Sequence, residues 1–139
     1  MTYLLDANCL VALVVPQHEH NERAHRFFAR RMFAVTPLTQ LALLQVLTRP
    51  RRMESTMHPP LHTPAEALRI LRLLCDRRGR TFLPADLNCT GRLPFEAVTG
   101  HRQWNDFYLV AIAQSHGYLL ATFDEALVRH FPEVCRLVP

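Results

Sequence analysis

Only five of the 139 residues are aspartates: Asp6, Asp76, Asp86, Asp106 and Asp124. Three of them stand where chemistry is commonly built. Asp6 closes the apolar run TYLL, Asp124 follows YLLATF, and Asp106 opens the apolar stretch FYLVAIA. Carboxylates packed together repel and raise one another's pKa unless a cation compensates them. Hard divalent cations such as Mg²⁺ and Mn²⁺ take oxygen ligands and keep waters for a phosphate substrate. Three aspartates at one edge of a sheet therefore point to metal-assisted attack on a phosphodiester. The plainer reading of each alone is a helix cap or turn former. Asp86 follows another apolar run and is a possible fourth acid at the same edge. His101 and Trp104 lie close enough to Asp106 to touch such a pocket, Trp104 as a packing residue or as a platform for a base.

The elements that must position these residues are short. Apolar runs at Thr2–Leu5, Phe33–Val35, Thr81–Leu83, Tyr118–Ala121 and Cys135–Val138 read as five buried strands. Between them, helical spacing runs over 8–15, 18–32 and 37–47, then from Pro64 to near Gly79. Further helices are expected at 94–98, from Asn105 as cap through His116, and over 124–131. Thr36-Pro37 and Thr63-Pro64-Ala65-Glu66 are helix starts, the second with the pattern of a capping box. Gly117 is a helix stop. Residues 49–62, RPRRMESTMHPPLH, carry three prolines and no period, and read as a surface loop. Strands alternating with helices imply one α/β domain over 1–139, a mostly parallel sheet covered on both faces. In such sheets ligands collect beyond the carboxyl ends of the strands, where Asp6 and Asp124 fall.

The chain is 49% apolar and 20% charged, which excludes a disordered polymer. No apolar run reaches the ~20 residues that span a bilayer, and the start MTYLLDANCL lacks the pattern of a signal peptide. Cys9, Cys75, Cys89 and Cys135 are scattered, and read as buried thiols of a reducing cytoplasm. The net charge is +4, and all 16 basic residues are arginine. Guanidinium suits phosphate recognition, although GC-rich codon usage explains the same count equally well. Arg49, Arg51, Arg52 and Arg102 are candidates to draw in backbone phosphates at the rim. His18, His20 and His25 lack zinc-site spacing and read as solvated helix residues.

The blocks LLDANCLVAL, TPLTQLALLQVLTRP, NDFYLVAIAQSHG and YLLATFDEAL, in this order and with GHRQW before the third, resemble PIN-domain proteins. Within that family they are most similar to VapC-type ribonuclease toxins of toxin–antitoxin pairs. The resemblance spans nearly the whole chain. It implies a small α/β fold with an acidic pocket and Mg²⁺- or Mn²⁺-dependent endonuclease activity on RNA. It also implies inhibition by a cognate antitoxin and a homodimer. Asp6, Asp106 and Asp124 match the family's metal-holding acids, Asn8 lies in the first acid's turn, and Thr122 is the hydroxyl of T-x-D. Gln40 stands where the family usually has glutamate, and Gln45 where it often has arginine. An amide can still ligate a metal or hold a water, but brings no charge.

Two other classes fit the same residues. One is a PIN-like fold that binds RNA or protein with weak or absent catalysis, which Gln40 supports. The other is a phosphohydrolase with Asp6 as covalent nucleophile, which would want an acid where Asn8 stands. Metal-dependent RNA cleavage separates them.

Overall fold

The computed structural model describes residues 2–139. Five parallel strands form the central sheet: β1 (Tyr3–Leu5), β2 (Phe33–Val35), β5 (Arg80–Phe82), β6 (Leu119–Thr122) and β7 (Cys135–Leu137). Their order across the sheet is β5-β2-β1-β6-β7, every pair parallel. Around it lie α1 (Ala7–Val14), α2 (Asn21–Phe28), α3 (Pro37–Thr48), α4 (Pro64–Cys75), α5 (Trp104–His116) and α6 (Glu125–His130), with a short 3₁₀ turn at Pro94–Ala97.

Consecutive strand residues face opposite layers. Leu5, Phe33, Val35 and Ala121 pack with α1 to α4, whereas Leu4, Ala34, Leu120 and Cys135 pack with α5 and α6. Both sheet faces are thus apolar, which is why the strands read as continuous runs without polar alternation. Seven successive residues of α5, Phe107–Ala113, are buried, so this helix is apolar on every side. It stops at Gly117, whose φ of 69° lets its N–H turn back to the carbonyls of Ala113 and Gln114.

The expected five strands, parallel sheet and single α/β domain are all present. Three local expectations are corrected. Residues 49–62 are not wholly loop: β3 (Arg51–Met53) pairs antiparallel with β4 (Thr56–His58). The turn between them places Glu54 and Ser55 at φ 50° and 64°. Such a turn ordinarily carries Asn and Gly, and the flanking strands are polar and exposed, so neither signal of a hairpin was available. Helix α5 begins one residue before Asn105, with Gln103 in the cap position. The Gln103 side-chain oxygen instead accepts from the N–H groups of Thr99 and Gly100, fastening the preceding turn. Of the four cysteines, all unpaired, Cys9 and Cys135 are buried as expected, but Cys75 is half-buried and Cys89 exposed. No helix among the described residues is long and apolar enough to cross a membrane.

Candidate active site

Asp6 leaves β1 in an extended conformation and caps α1. Its backbone N–H donates to the Ala121 carbonyl at 3.0 Å, which stitches the end of β1 to β6. Its side chain is almost wholly buried, 4% exposed. One carboxylate oxygen accepts from the Ala7 N–H at 2.6 Å; the other accepts from the Thr122 hydroxyl at 2.7 Å. Thr122 ends β6, fully buried, and its Oγ1 in turn accepts the Asp124 N–H at 3.0 Å. A single hydroxyl therefore joins two acids that lie 118 positions apart in sequence. Asp124 is exposed and caps α6, its Oδ1 accepting from the N–H groups of Ala126 and Leu127 at 2.9 and 3.1 Å. Both residues thus serve as helix caps at the strand ends.

Asp106 approaches from α5, in its first turn, where the helix dipole favours an anion. Burial pushes its carboxyl up to about 7, and the charges of Asp6 and Asp124 add to that rise. Asp6 is raised as well, first by burial and further by Asp124, against the lowering bonds from Thr122 and Ala7. The three acids thus lie within one another's electrostatic field. Among the described residues, ion pairs join Glu19 with His20, Glu22 with Arg26, Glu66 with His62 and Glu125 with Arg129. None reaches the three aspartates. Negative charge is gathered here without a cationic partner, an arrangement stable only with protons or a bound cation.

The remaining expected residues divide. Asn8 is exposed in the first turn of α1, beside Asp6 in the chain. Gln40 turns elsewhere: its amide donates to the Cys75 sulfur on α4 at 3.7 Å. A glutamate there would have to reverse the bond and accept from the thiol S–H, a weak donor. Arg102 and His101 are exposed on the turn that leads into α5. Arg49, Arg51 and Arg52 follow the twelve residues of α3, which carry them about 18 Å from the sheet edge where that helix begins. Arg51 donates there to the Pro59 carbonyl at 3.0 Å. Asp86 is exposed in the loop after β5, with no bond to the other acids. One residue at this edge was read only as a helix start. The hydroxyl of Thr36, at the end of β2 beside β1, is fully buried and lacks a partner among the described residues, which makes it a place for a water or ligand oxygen. A cavity of about 650 Å³, lined by none of the three acids, lies between α1, α2 and α4 at the amino ends of β2 and β5.

Among the described residues, no group of three or more His, Cys, Asp or Glu side chains is arranged to hold a metal ion. The Asp124 carboxylate is engaged at the start of α6.

Residues 3–133 match the family model described as PIN domain. Two relatives from Mycobacterium tuberculosis are similar over most of their length. Ribonuclease VapC39 is 35% identical over 91% of each chain, and Ribonuclease VapC29 is 34% identical over 100% of this chain and 98% of its own. Two solved structures share the fold at low identity. One is VapBC2 of Rickettsia felis bound to a promoter DNA fragment, with TM-score 0.65, 14% identity and full coverage of both chains. The other is DNA-bound VapBC of Salmonella typhimurium, with TM-score 0.62, 15% identity, and coverage of 100% of this chain and 99% of that one.

Proposed function

The chain belongs to the PIN-domain family, and from that membership and its three clustered aspartates we propose that it is a metal-dependent endoribonuclease, the toxin of a toxin–antitoxin pair. The observation that carries the reading is the uncompensated charge of Asp6 and Asp124, joined through Thr122, and of Asp106, whose carboxyl feels both. An all-oxygen donor set of this charge suits Mg²⁺ or Mn²⁺ better than a softer metal. Asp6, Asp106 and Asp124 would hold the ion, directly or through water. When bound, it supplies activation of a water and neutralisation of charge building on the phosphate.

The protein's own part is positional. Thr122 and the Ala7 N–H fix both oxygens of Asp6, so that its carboxylate cannot rotate away from the edge. The Asp124 backbone is held to the same hydroxyl. Burial and the neighbouring acids favour the protonated form of Asp106 up to about neutral pH, and a bound cation would favour its ionised form. Arg102, at the mouth of α5, is placed to meet a substrate phosphate. Arg49, Arg51 and Arg52 meet phosphates several nucleotides away. Asn8 orients solvent or substrate in the first turn of α1. Gln40, bonded to Cys75, supports the α3–α4 packing and leaves the site with three carboxylates. Water is the nucleophile in this reading, because a covalent role for Asp6 would want an acid where Asn8 stands.

The reading includes two protein partners, a cognate antitoxin and a second copy of the chain, and places the activity in the cytoplasm. Leu41, Leu68 and Leu73 expose apolar surface on α3 and α4 for such contacts. A second reading, an RNA- or protein-binding PIN fold with weak catalysis, rests on Gln40 having left the acids. Incubation of the purified protein with RNA in EDTA, then after adding Mg²⁺ or Mn²⁺, tests both. Cleavage only after the metal supports the nuclease; binding without cleavage under any condition supports the second reading.

A further inference from the structure

A second cavity of about 490 Å³ has none of the three acids in its lining. Leu38 at the start of α3, Ala85 beyond β5, and Phe95, Trp104, Asn105 and Tyr108 form its walls. It therefore lies at the carboxyl ends of β2 and β5, the two strands that continue the sheet from β1. With strands ~4.8 Å apart, that places it one to two strand widths from the end of β1, where Asp6 stands. Trp104 and Asn105 precede Asp106 in the first turn of α5, so the cavity shares one rigid element with that acid.

We propose that this cavity is a nucleobase subsite, in which Trp104 stacks on an unpaired base of the RNA next to the nucleotide held at the acids. The proposal rests on the nuclease reading above and adds the recognition that reading lacks. Trp104 is 50% exposed, a large apolar area to leave to water. Its indole is nonetheless held: Phe95 meets it edge to face, centroids 5.3 Å apart and planes at 89°. One perpendicular neighbour fixes the ring without covering both of its faces. The walls are fixed too. The Tyr108 hydroxyl donates to the Leu87 carbonyl and accepts the Leu87 N–H, at 2.9 and 3.0 Å, tying the 84–93 loop to α5. Gln103 fastens the turn on the other side through Thr99 and Gly100. A preformed aromatic slot with an adjacent amide suits a flat heterocycle: every base has a π face, and Asn105 offers a donor and an acceptor to its edge. The volume lies within the range of small-molecule sites and exceeds what a single side chain fills.

Trp104 is the only tryptophan of the chain, so its fluorescence reports this cavity alone. The Asp6→Asn protein, which cannot consume its substrate, is titrated with a short single-stranded RNA and with an abasic ribose-phosphate oligomer of equal length. The bases should quench Trp104 and tighten binding about 5- to 150-fold over the abasic chain. Trp104→Ala should abolish that preference, and Trp104→Phe should keep most of it. In the otherwise unaltered enzyme, Trp104→Ala should lower kcat/KM by a similar factor, with Trp104→Phe rescuing it. Equal binding of the two oligomers with no quenching overturns the subsite, and this measurement needs no variant at Trp104. A Trp104→Ala protein that changes from dimer to monomer in sedimentation, with its base preference intact, makes the cavity a subunit contact instead. Base-dependent quenching without metal-dependent cleavage would leave the subsite standing and remove the nuclease reading; cleavage without base preference does the reverse.

Discussion

Replacing Asp106 by asparagine should move activity and stability in opposite directions. The carboxyl of Asp106 is pushed up to about 7 by burial and by the charges of Asp6 and Asp124. The gap from an ordinary value near 3.8 corresponds, at ~1.4 kcal/mol per pH unit, to ~4 kcal/mol of strain in the ionised, metal-free site. The side chain is only partly buried, so water and counterions screen this to about 1–2 kcal/mol. Asparagine keeps the size and removes the charge. At pH 7.5 in EDTA, Asp106→Asn should therefore unfold about 3–7 °C above the wild type in a thermal melt. The sign with pH follows from a folded pKa above the unfolded one. The penalty is complete above about 7 and shrinks as the pH falls towards 4, because the folded protein then takes up the proton first. The gain of the variant should thus be clearly smaller at pH 5. Saturating Mn²⁺ should reverse the order at pH 7.5, since an ion that binds only the folded wild type stabilises it by mass action. A variant that melts below the wild type in EDTA at pH 7.5, or gains equally at pH 5, would refute the electrostatic argument.

Two other substitutions test separate parts of the structure. Thr122→Val removes the hydroxyl shared by Asp6 and Asp124, and should cost about 1.5–3 kcal/mol in urea unfolding. Thr122→Ser, which keeps the hydroxyl, should retain most of that stability and the activity. Ser55→Gly relieves the left-handed φ in the β3–β4 turn, and should raise the denaturation midpoint by the equivalent of ~1 kcal/mol without changing RNA cleavage. No gain would mean that the turn carries no strain.

Much of the fold could be read from the chain because the sheet is parallel and covered on both sides. Runs such as YLL, FAV and LLA are largely buried, and each is followed by a residue suited to cap a helix, so strand, boundary and edge are all local signals. That Asp6 and Asp124 come to share the Thr122 hydroxyl is not local. It follows from the order β2-β1-β6, which brings the end of β6 beside the end of β1. Spacing alone does not contain that order; the family resemblance did. Other features depended on contacts no pattern encodes. Gln40 looks like a damaged ligand in sequence, yet its amide serves the Cys75 sulfur across the α3–α4 contact. The polar hairpin at 51–58 has neither apolar alternation nor a glycine turn to announce it. Trp104, at a helix start, reads more readily as packing until its exposure and the adjoining cavity are seen.

The most direct test of the carboxylate site is cleavage of a 5′-labelled RNA with Mg²⁺ or Mn²⁺ by the wild type and by Asp6→Asn and Asp124→Asn, each first shown to be folded by circular dichroism. Asp6, Asp106 and Asp124 acting together on a metal predict cutting by the wild type and a loss of at least ~100-fold in each variant, with no cutting in EDTA. Equal cleavage by either variant, or cleavage by the wild type in EDTA, would contradict that claim.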